Sequence, residues 1–290
     1  MSLVSGTAIL EPAREHGFAV PAFNLSDYGM VRAAIDVCEE LGSPLMIALG
    51  PKEGSWVGPA FIPSVLALAH ASSIPIALHW DHGANLGEVV RAIQAGYTSV
   101  MIDASRVEYE ENIRITSEVV RVAHSAGVSV EAELGTIGAT VGADEGGTSD
   151  IIYTDPEQAV DFVERTGLDF LAIAIGTRHG TYPATLQPEL KLDLLDRIAA
   201  RATVPLVLHG GSDNPDDEVR AACTRGINKV NISTDLKRAF FDGIGRELAE
   251  NGGFEPRLVI PAGMATMAAV ARQKVEIFGA VDTVGHYRRH

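Results

Sequence analysis

Six stretches of this sequence gather residue types that do acid, base and metal chemistry. In order they read Leu78-His79-Trp80-Asp81-His82, Met101-Ile102-Asp103-Ala104-Ser105, Glu131-Ala132-Glu133-Leu134-Gly135, Gly176-Thr177-Arg178-His179-Gly180, Leu208-His209-Gly210-Gly211-Ser212 and Asn231-Ile232-Ser233-Thr234-Asp235. Each closes, or directly follows, a short apolar run. If the runs are strands of one parallel barrel, their polar ends collect on a single rim, where such a barrel carries its active site.

His82, His179 and His209 come from three different stretches at the same level, and three imidazoles form a donor set for one cation. Zinc suits it, with Zn–N distances of ~2.0–2.1 Å and a fourth position for water or substrate. Other divalent ions use the same donors, because N/O sites discriminate poorly by affinity. Asp103 and Glu133 add oxygens, either as a second metal position or as partners that orient an imidazole N–H. The alternative for this group is a buried hydrogen-bond network in the barrel mouth. Asp81 is a carboxylate beside a metal-ligand candidate, which makes it a proton carrier. On a regular strand Asp81 and His82 would face opposite sides, so the strand must end or bulge there. His79 shares the parity of Asp81 and reads as a packed residue rather than a ligand.

The second ingredient is anion binding. Gly180, Gly210-Gly211-Ser212 and Asn231-Ile232-Ser233-Thr234 follow the sixth, seventh and eighth runs. Barrels often hold phosphate at the loops after the last strands, with backbone N–H groups and small hydroxyls. Any one of these stretches is equally a plain turn. A metal, a proton carrier and a phosphate cradle on one rim describe a reaction in which a phosphorylated hydroxy-carbonyl compound chelates a Lewis acid. Aldol cleavage or condensation belongs to that class, as do some isomerisations and epimerisations.

The elements that must position these residues are legible. Eight runs rich in Val, Ile, Leu and Ala read as strands: Ala19–Asn24, Pro44–Gly50, Ile74–His82, Ser99–Ser105, Ser129–Gly135, Phe170–Gly176, Pro205–Gly210 and Lys229–Thr234. Few alternate with polar residues, as expected of parallel strands buried on both faces. Helical patterns lie between them. Asn85 caps one that stops near Gly96, a second runs from about Glu108 to Gly127, and Asp155-Pro156 opens a third. Eight such units predict a (β/α)8 TIM barrel, with Met264–Phe278 as an additional C-terminal helix. A doubly wound sheet is the alternative, but no G-x-G-x-x-G follows the first strand. No linker splits the chain, so residues 1–290 read as one domain. Thr136–Ile152 is long and glycine-rich, the signature of a lid or binding loop.

Composition narrows the class. Lys and Arg total 23 against 38 Asp and Glu, a net charge of −15, which disfavours nucleic acid as a partner. Two cysteines, Cys38 and Cys223, exclude a disulfide framework and suit a reducing compartment. No apolar run approaches the ~18–20 residues of a membrane span, and no secretory leader opens the chain. A cytoplasmic, membrane-free location is the expectation.

At these residues the sequence resembles the class II, metal-dependent ketose-bisphosphate aldolases, the family of fructose- and tagatose-bisphosphate aldolases. The resemblance rests on Ala19-Val-Pro-Ala-Phe-Asn24, Leu78-His-Trp-Asp-His82, Ser99-Val-Met-Ile-Asp-Ala-Ser105, Val130-Glu-Ala-Glu-Leu-Gly135, Ala174-Ile-Gly-Thr-Arg-His-Gly180, Leu206-Val-Leu-His-Gly210, Lys229-Val-Asn-Ile-Ser-Thr234 and Glu255-Pro-Arg257. It implies an aldehyde-lyase that cleaves or forms a phosphorylated ketose, with dihydroxyacetone phosphate as enediolate donor. His82, His179 and His209 would bind the zinc, and Asp103 and Glu133 match an alternative metal position. Asp81 would exchange a proton with the aldehyde oxygen. Asn24 would sit near the enediolate, and Gly180, Gly210, Gly211, Ser212, Asn231, Ser233 and Thr234 would hold the phosphate. A homodimer or homotetramer is implied.

The chain departs from that family in its substrate-handling residues. Asp213 stands where a glycine usually flanks the anion site. The loop after the fifth strand lacks acids directly after Glu133-Leu-Gly; the nearest, Asp144 and Glu145, come a few residues later, and Glu145 is the candidate for the proton-abstracting base. The second strand ends Leu49-Gly50-Pro51 where relatives tend to offer Ser or Thr. A divergent substrate, or a non-catalytic homologue serving as a subunit, are the other readings.

Overall fold

The computed structural model describes residues 2–140, 147–182 and 188–287. Among them, eight parallel strands close a barrel: β1 (Val20–Asn24), β2 (Leu45–Leu49), β3 (Ile76–Gly83), β4 (Ser99–Ile102), β5 (Ser129–Leu134), β7 (Phe170–Ile173), β9 (Leu206–Leu208) and β10 (Ile227–Ile232). Around the barrel each strand pairs with its sequence neighbours, and β1 closes on β10. Outside β3 every residue of these strands is buried, so the near-absence of polar alternation in the sequence has a direct cause: helices cover one side and the packed lumen the other.

The helices follow their start and stop signals. Asn85 caps α5 (Leu86–Ala95) by accepting from the Glu88 N–H at 3.0 Å, and Gly96 ends it in the left-handed region at φ 102°. The second predicted helix is α6 (Tyr109–Ser125), with Ile113, Thr116, Val120 and Ala123 buried along one stripe. Asp155 caps α7 (Pro156–Thr166), whose first residue is Pro156. The remaining connections are α2 (Tyr28–Glu40), α3 (Pro51–Val57), α4 (Phe61–Ala71), α8 (Leu192–Ala199) and α9 (Asp216–Thr224).

Three features go beyond the eight-unit rhythm. First, α1 (Gly6–His16) precedes the barrel and lies across its N-terminal mouth. Thr7 N–H donates to Ser129 Oγ at 3.0 Å, and a Cβ on Gly6 would stand 2.8 Å from the Phe170 ring. Ser129 and Phe170 are the first residues of their strands, which fixes α1 at the end opposite the polar rim. Second, the C-terminal helix α11 (Pro256–Ile277) starts earlier than its apolar stripe suggested and packs on α10 (Thr234–Asn251). The helices meet at Gly243 and Gly263, where an added Cβ would stand 2.5 Å from Ala262 O and 2.7 Å from Phe240 O respectively. Third, the described residues of the predicted loop over 136–152 carry pairing of their own: β6 (Gly138–Ala139) pairs in parallel with β8 (Arg178–His179), and Thr136 bridges Ile152.

Candidate active site

The rim residues are placed by strand parity. Residues two apart on a strand face the same side. Asn231 and Lys229 on β10, Glu131 and Glu133 on β5, and His79 and Asp81 on β3 form three such pairs. Several of their hydrogen bonds join strands that are not neighbours, from β10 to β5 and from β10 to β3, so they cross the lumen.

On β3 the alternation breaks where it must. Trp80 pairs with Val100 and Gly83 with Ile102, so three steps on β3 oppose two on β4, a bulge. His82 sits within it in the left-handed region at φ 50°. The extra residue swings His82 to the rim that Asp81 already faces.

The three predicted imidazoles converge. A ligand nitrogen from each of His82, His179 and His209 lies within 4.8 Å of the others, and an equally tight second group joins His82 to Asp103 and Glu133. Asp103 Oδ2 stands 3.1 Å from His82 Nδ1, and Glu131 Oε1 stands 2.7 Å from His209 Nε2. Each carboxylate therefore takes one ring N–H and turns the opposite ring nitrogen toward the other imidazole. Those opposite nitrogens, His82 Nε2 and His209 Nδ1, face each other at hydrogen-bonding distance, 3.0 Å. Ser105 fixes Asp103 in turn, its backbone N–H and Oγ both donating to Oδ1.

Asp81 is held rather than free. Asn24 Nδ2 and Asn231 Nδ2 donate to its Oδ2 at 2.8 and 3.1 Å. Its Oδ1, Asn24 Oδ1 and Asn231 Oδ1 are buried without a hydrogen-bond partner. Burial pushes the Asp81 carboxyl up, but the charges of His82, His209 and Lys229 outweigh it and hold the group well below the usual carboxylate range.

The glycines and hydroxyls of the predicted cradle also meet. Ser212 Oγ accepts from the backbone N–H groups of Ser233 and Asp235, each at 3.3 Å, and Gly211 N–H donates to Asn231 O. The Ser233 Oγ is buried and unbonded, and Thr234 is the first residue of α10. An 18-residue helix thus points its N-terminus into this cluster. Gly210, at φ 62°, is required: a Cβ there would stand 2.7 Å from Arg178 O. Gly180 follows His179 in the left-handed region at φ 88°. Glu145 lies outside the described residues. Its flanks do not: Thr140 N–H donates to His179 O at 3.0 Å, and Arg106 Nη2 donates to Gly147 O at 2.9 Å.

Two residues of this network were not singled out from the sequence. Glu131 holds His209, and Lys229 Nζ donates to Glu131 Oε2 at 2.7 Å with both side chains fully buried. Parity was the available signal, since Glu131 and Lys229 stand two residues before Glu133 and Asn231.

The comparisons agree with this architecture. Residues 4–283 match the family model described as fructose-bisphosphate aldolase class-II. The chain belongs to the class II fructose-bisphosphate aldolase family. A relative in it, the D-tagatose-1,6-bisphosphate aldolase subunit GatY of Klebsiella oxytoca, is 39% identical over 96% of this chain and 98% of its own length. The YdjI aldolase of Escherichia coli K12 superposes with a TM-score of 0.85 at 33% identity, covering 96% of this chain and 98% of that one. A putative fructose-1,6-biphosphate aldolase of Coccidioides immitis reaches a TM-score of 0.85 at 28% identity, over 97% and 98% of the two chains.

Class II aldolases are metal-dependent, and the residues present fit a cation. His82 Nε2 and His209 Nδ1, 3.0 Å apart, point at one place, where a cation can replace the proton they share. Glu133 Oε2 is buried without a hydrogen-bond partner. Burial and the neighbouring Asp103 push the Glu133 carboxyl up to about 8. Burial works against a charged His82, yet Asp81 and Asp103 lift it to about 10. The same acidic field favours a divalent ion at that point. Among the described residues, no helix is long and apolar enough to cross a membrane.

Proposed function

We propose that this chain is a zinc-dependent aldolase that cleaves and forms a phosphorylated ketose of the fructose- or tagatose-1,6-bisphosphate type, releasing dihydroxyacetone phosphate and an aldehyde. The observation that carries the reading is the convergence of His82, His179 and His209 beside a carboxylate, Asp81, that is clamped by two amides. His82 Nε2, His209 Nδ1 and His179 would hold the metal, with Asp103 and Glu133 at an alternative position. The bound ion supplies Lewis-acid polarisation of the substrate's carbonyl and hydroxyl oxygens.

The chain's own groups do the rest. Asp81, ionised and fixed through Oδ2, takes the proton of the cleaved hydroxyl through Oδ1 and returns it in condensation. The amides of Asn24 and Asn231 keep that oxygen aimed, and their unbonded Oδ1 atoms accept from substrate hydroxyls. Gly180, Gly210, Gly211, Ser212, Ser233 and Thr234 bind the phosphate at the N-terminus of α10, whereas Asn231, expected in that cradle, has its Nδ2 on Asp81 instead. Glu145 exchanges the proton on the dihydroxyacetone phosphate carbon. The assembly is a homodimer or homotetramer, in keeping with a relative named as a subunit, and the location cytoplasmic.

A divergent substrate is the second reading, favoured by Gly50. A Cβ there would stand 2.9 Å from Glu53 Oε2, so the end of β2 offers no side-chain hydroxyl. The deciding experiment follows dihydroxyacetone phosphate release from a panel of ketose mono- and bisphosphates, with and without chelator. Chelator-sensitive release from one bisphosphate is expected. Silence across the panel with zinc bound sinks the substrate assignment.

A further inference from the structure

The lumen below the metal-ligand candidates carries an ion pair that the proposed chemistry does not use. Lys229 on β10 and Glu131 on β5 are fully buried, and Nζ donates to Oε2 at 2.7 Å. A buried ion pair is weak support for stability, because well-packed apolar residues of similar volume usually serve as well or better. Filling the barrel therefore does not account for it. Both oxygens of Glu131 are committed, one to Lys229 and the other to His209 Nε2 at 2.7 Å. A carboxylate oxygen accepts only, so the proton of His209 sits on Nε2 and the bare nitrogen is Nδ1, the one facing His82. The neighbouring His79 completes the layer, its Nδ1 2.7 Å from Ser99 Oγ and its Nε2 3.5 Å from Glu131 Oε2.

We infer that the Lys229–Glu131 pair is a positioning device for the metal ligand His209. The ammonium of Lys229 keeps Glu131 in the buried lumen with one oxygen free for His209, and that oxygen fixes the ring with Nδ1 toward the cation. The inference rests on His209 being a ligand, as proposed above. Lys229 touches neither substrate nor metal and acts only through Glu131.

The test reads metal binding, not turnover. Zinc affinity is measured by competition with a chromophoric chelator, and the visible spectrum is recorded with Co2+ as probe. Two charge-free double variants separate positioning from packing. Lys229→Met with Glu131→Gln keeps an oxygen that accepts from His209 Nε2–H. Lys229→Met with Glu131→Leu removes it. The Gln variant is expected to bind Zn2+ nearly as the parent does, with an unchanged Co2+ spectrum. The Leu variant is expected to bind at least ~10-fold more weakly, the usual loss when a partner of a ligating His is removed, with a shifted spectrum. Equal affinity in the two overturns the device. A folded Lys229→Met single variant that binds as tightly as the parent overturns the part given to Lys229. His209→Ala is the control for the underlying reading: if it binds Zn2+ like the parent, His209 is not a ligand and the inference falls with it.

Discussion

The Tyr182 backbone N–H donates to Asp213 Oδ2 at 2.8 Å, which ties the loop after β8 to the turn after β9. A second bond crosses between them, Tyr182 Oη donating to Asn214 Oδ1 at 3.4 Å, and each loop is braced internally. Arg178 N–H donates to Tyr182 Oη at 2.7 Å, and Asn214 Nδ2 donates to Gly210 O and Ser212 O at 2.6 and 2.9 Å. Loops carrying His179 and Gly180 on one side and Gly210 to Ser212 on the other are thereby held in one arrangement. Asp213 lies in the left-handed region at φ 59°, which explains why glycine suits the position and why Asp is tolerated. Its carboxylate is engaged by the neighbouring loop, but its charge remains near the proposed phosphate cradle.

Asp213→Asn keeps an acceptor for Tyr182 N–H and removes the charge. The expected result is a KM for the phosphorylated substrate that falls a few-fold at low salt, with kcat little changed. The advantage shrinks as ionic strength rises past ~0.15 M, where the screening length is ~8 Å. Asp213→Ala, which also drops the acceptor, should raise KM instead. Identical KM values for the parent and the Asn variant across a salt series would show that the charge does not reach the anion site.

Asp81→Ala should separate binding from chemistry. The hydrogen bonds of Asp81 run to Asn24 and Asn231, not to an imidazole. Metal content should therefore stay at the parent level while ketose cleavage falls roughly 10²–10⁴-fold, the range for losing a positioned general acid–base. Elemental analysis and a dihydroxyacetone phosphate assay on the same preparation check both halves. Cleavage at the parent rate would remove Asp81 from the mechanism.

The barrel was legible because parallel strands buried on both faces leave uninterrupted apolar runs, and the rim was legible because those runs end in His, Asp and Glu. Even the bulge in β3 followed from parity, since Asp81 and His82 are consecutive yet both had chemical work on one side. Other features left weaker marks. The β6–β8 pair is four residues in all, too short for any periodicity. The role of Glu131 and Lys229 depends on bonds across the lumen, which join residues 98 positions apart in sequence. The orientation of Asp213 depends on a partner 31 positions away.

The proton-abstraction role proposed for Glu145 rests on the sequence, and the anchored residues on either side of its segment make it testable. Thr140 is tied to His179 and Gly147 to Arg106, so the described residues on either side of 141–146 stand beside the metal-ligand candidates. A five-residue reach from Thr140 spans at most ~17–18 Å when fully extended. Glu145→Ala should slow exchange of the dihydroxyacetone phosphate proton with solvent, followed by NMR in D2O, while leaving substrate binding within a few-fold. An unchanged exchange rate would point to another base, with Asp144 the next to replace.

Gly50 and Glu53 offer a double-mutant cycle at the end of β2. Glu53 Oε2 accepts from the Gly50 N–H at 3.1 Å, and its Oε1 accepts from Lys237 Nζ at 2.7 Å, linking the start of α3 to α10. A serine at 50 needs the space that Glu53 Oε2 occupies, because the added Cβ would stand 2.9 Å from it. Gly50 has an ordinary negative φ of −85°, so the cost comes from the displaced carboxylate and not from the backbone. Gly50→Ser and Glu53→Ala should each destabilise the fold by about 1–2 kcal/mol in urea titrations. Since both remove the same contacts, the double variant should lose clearly less than the sum. Strict additivity would mean that Glu53 moves aside freely, and that the missing hydroxyl at position 50 is not enforced by this ion pair.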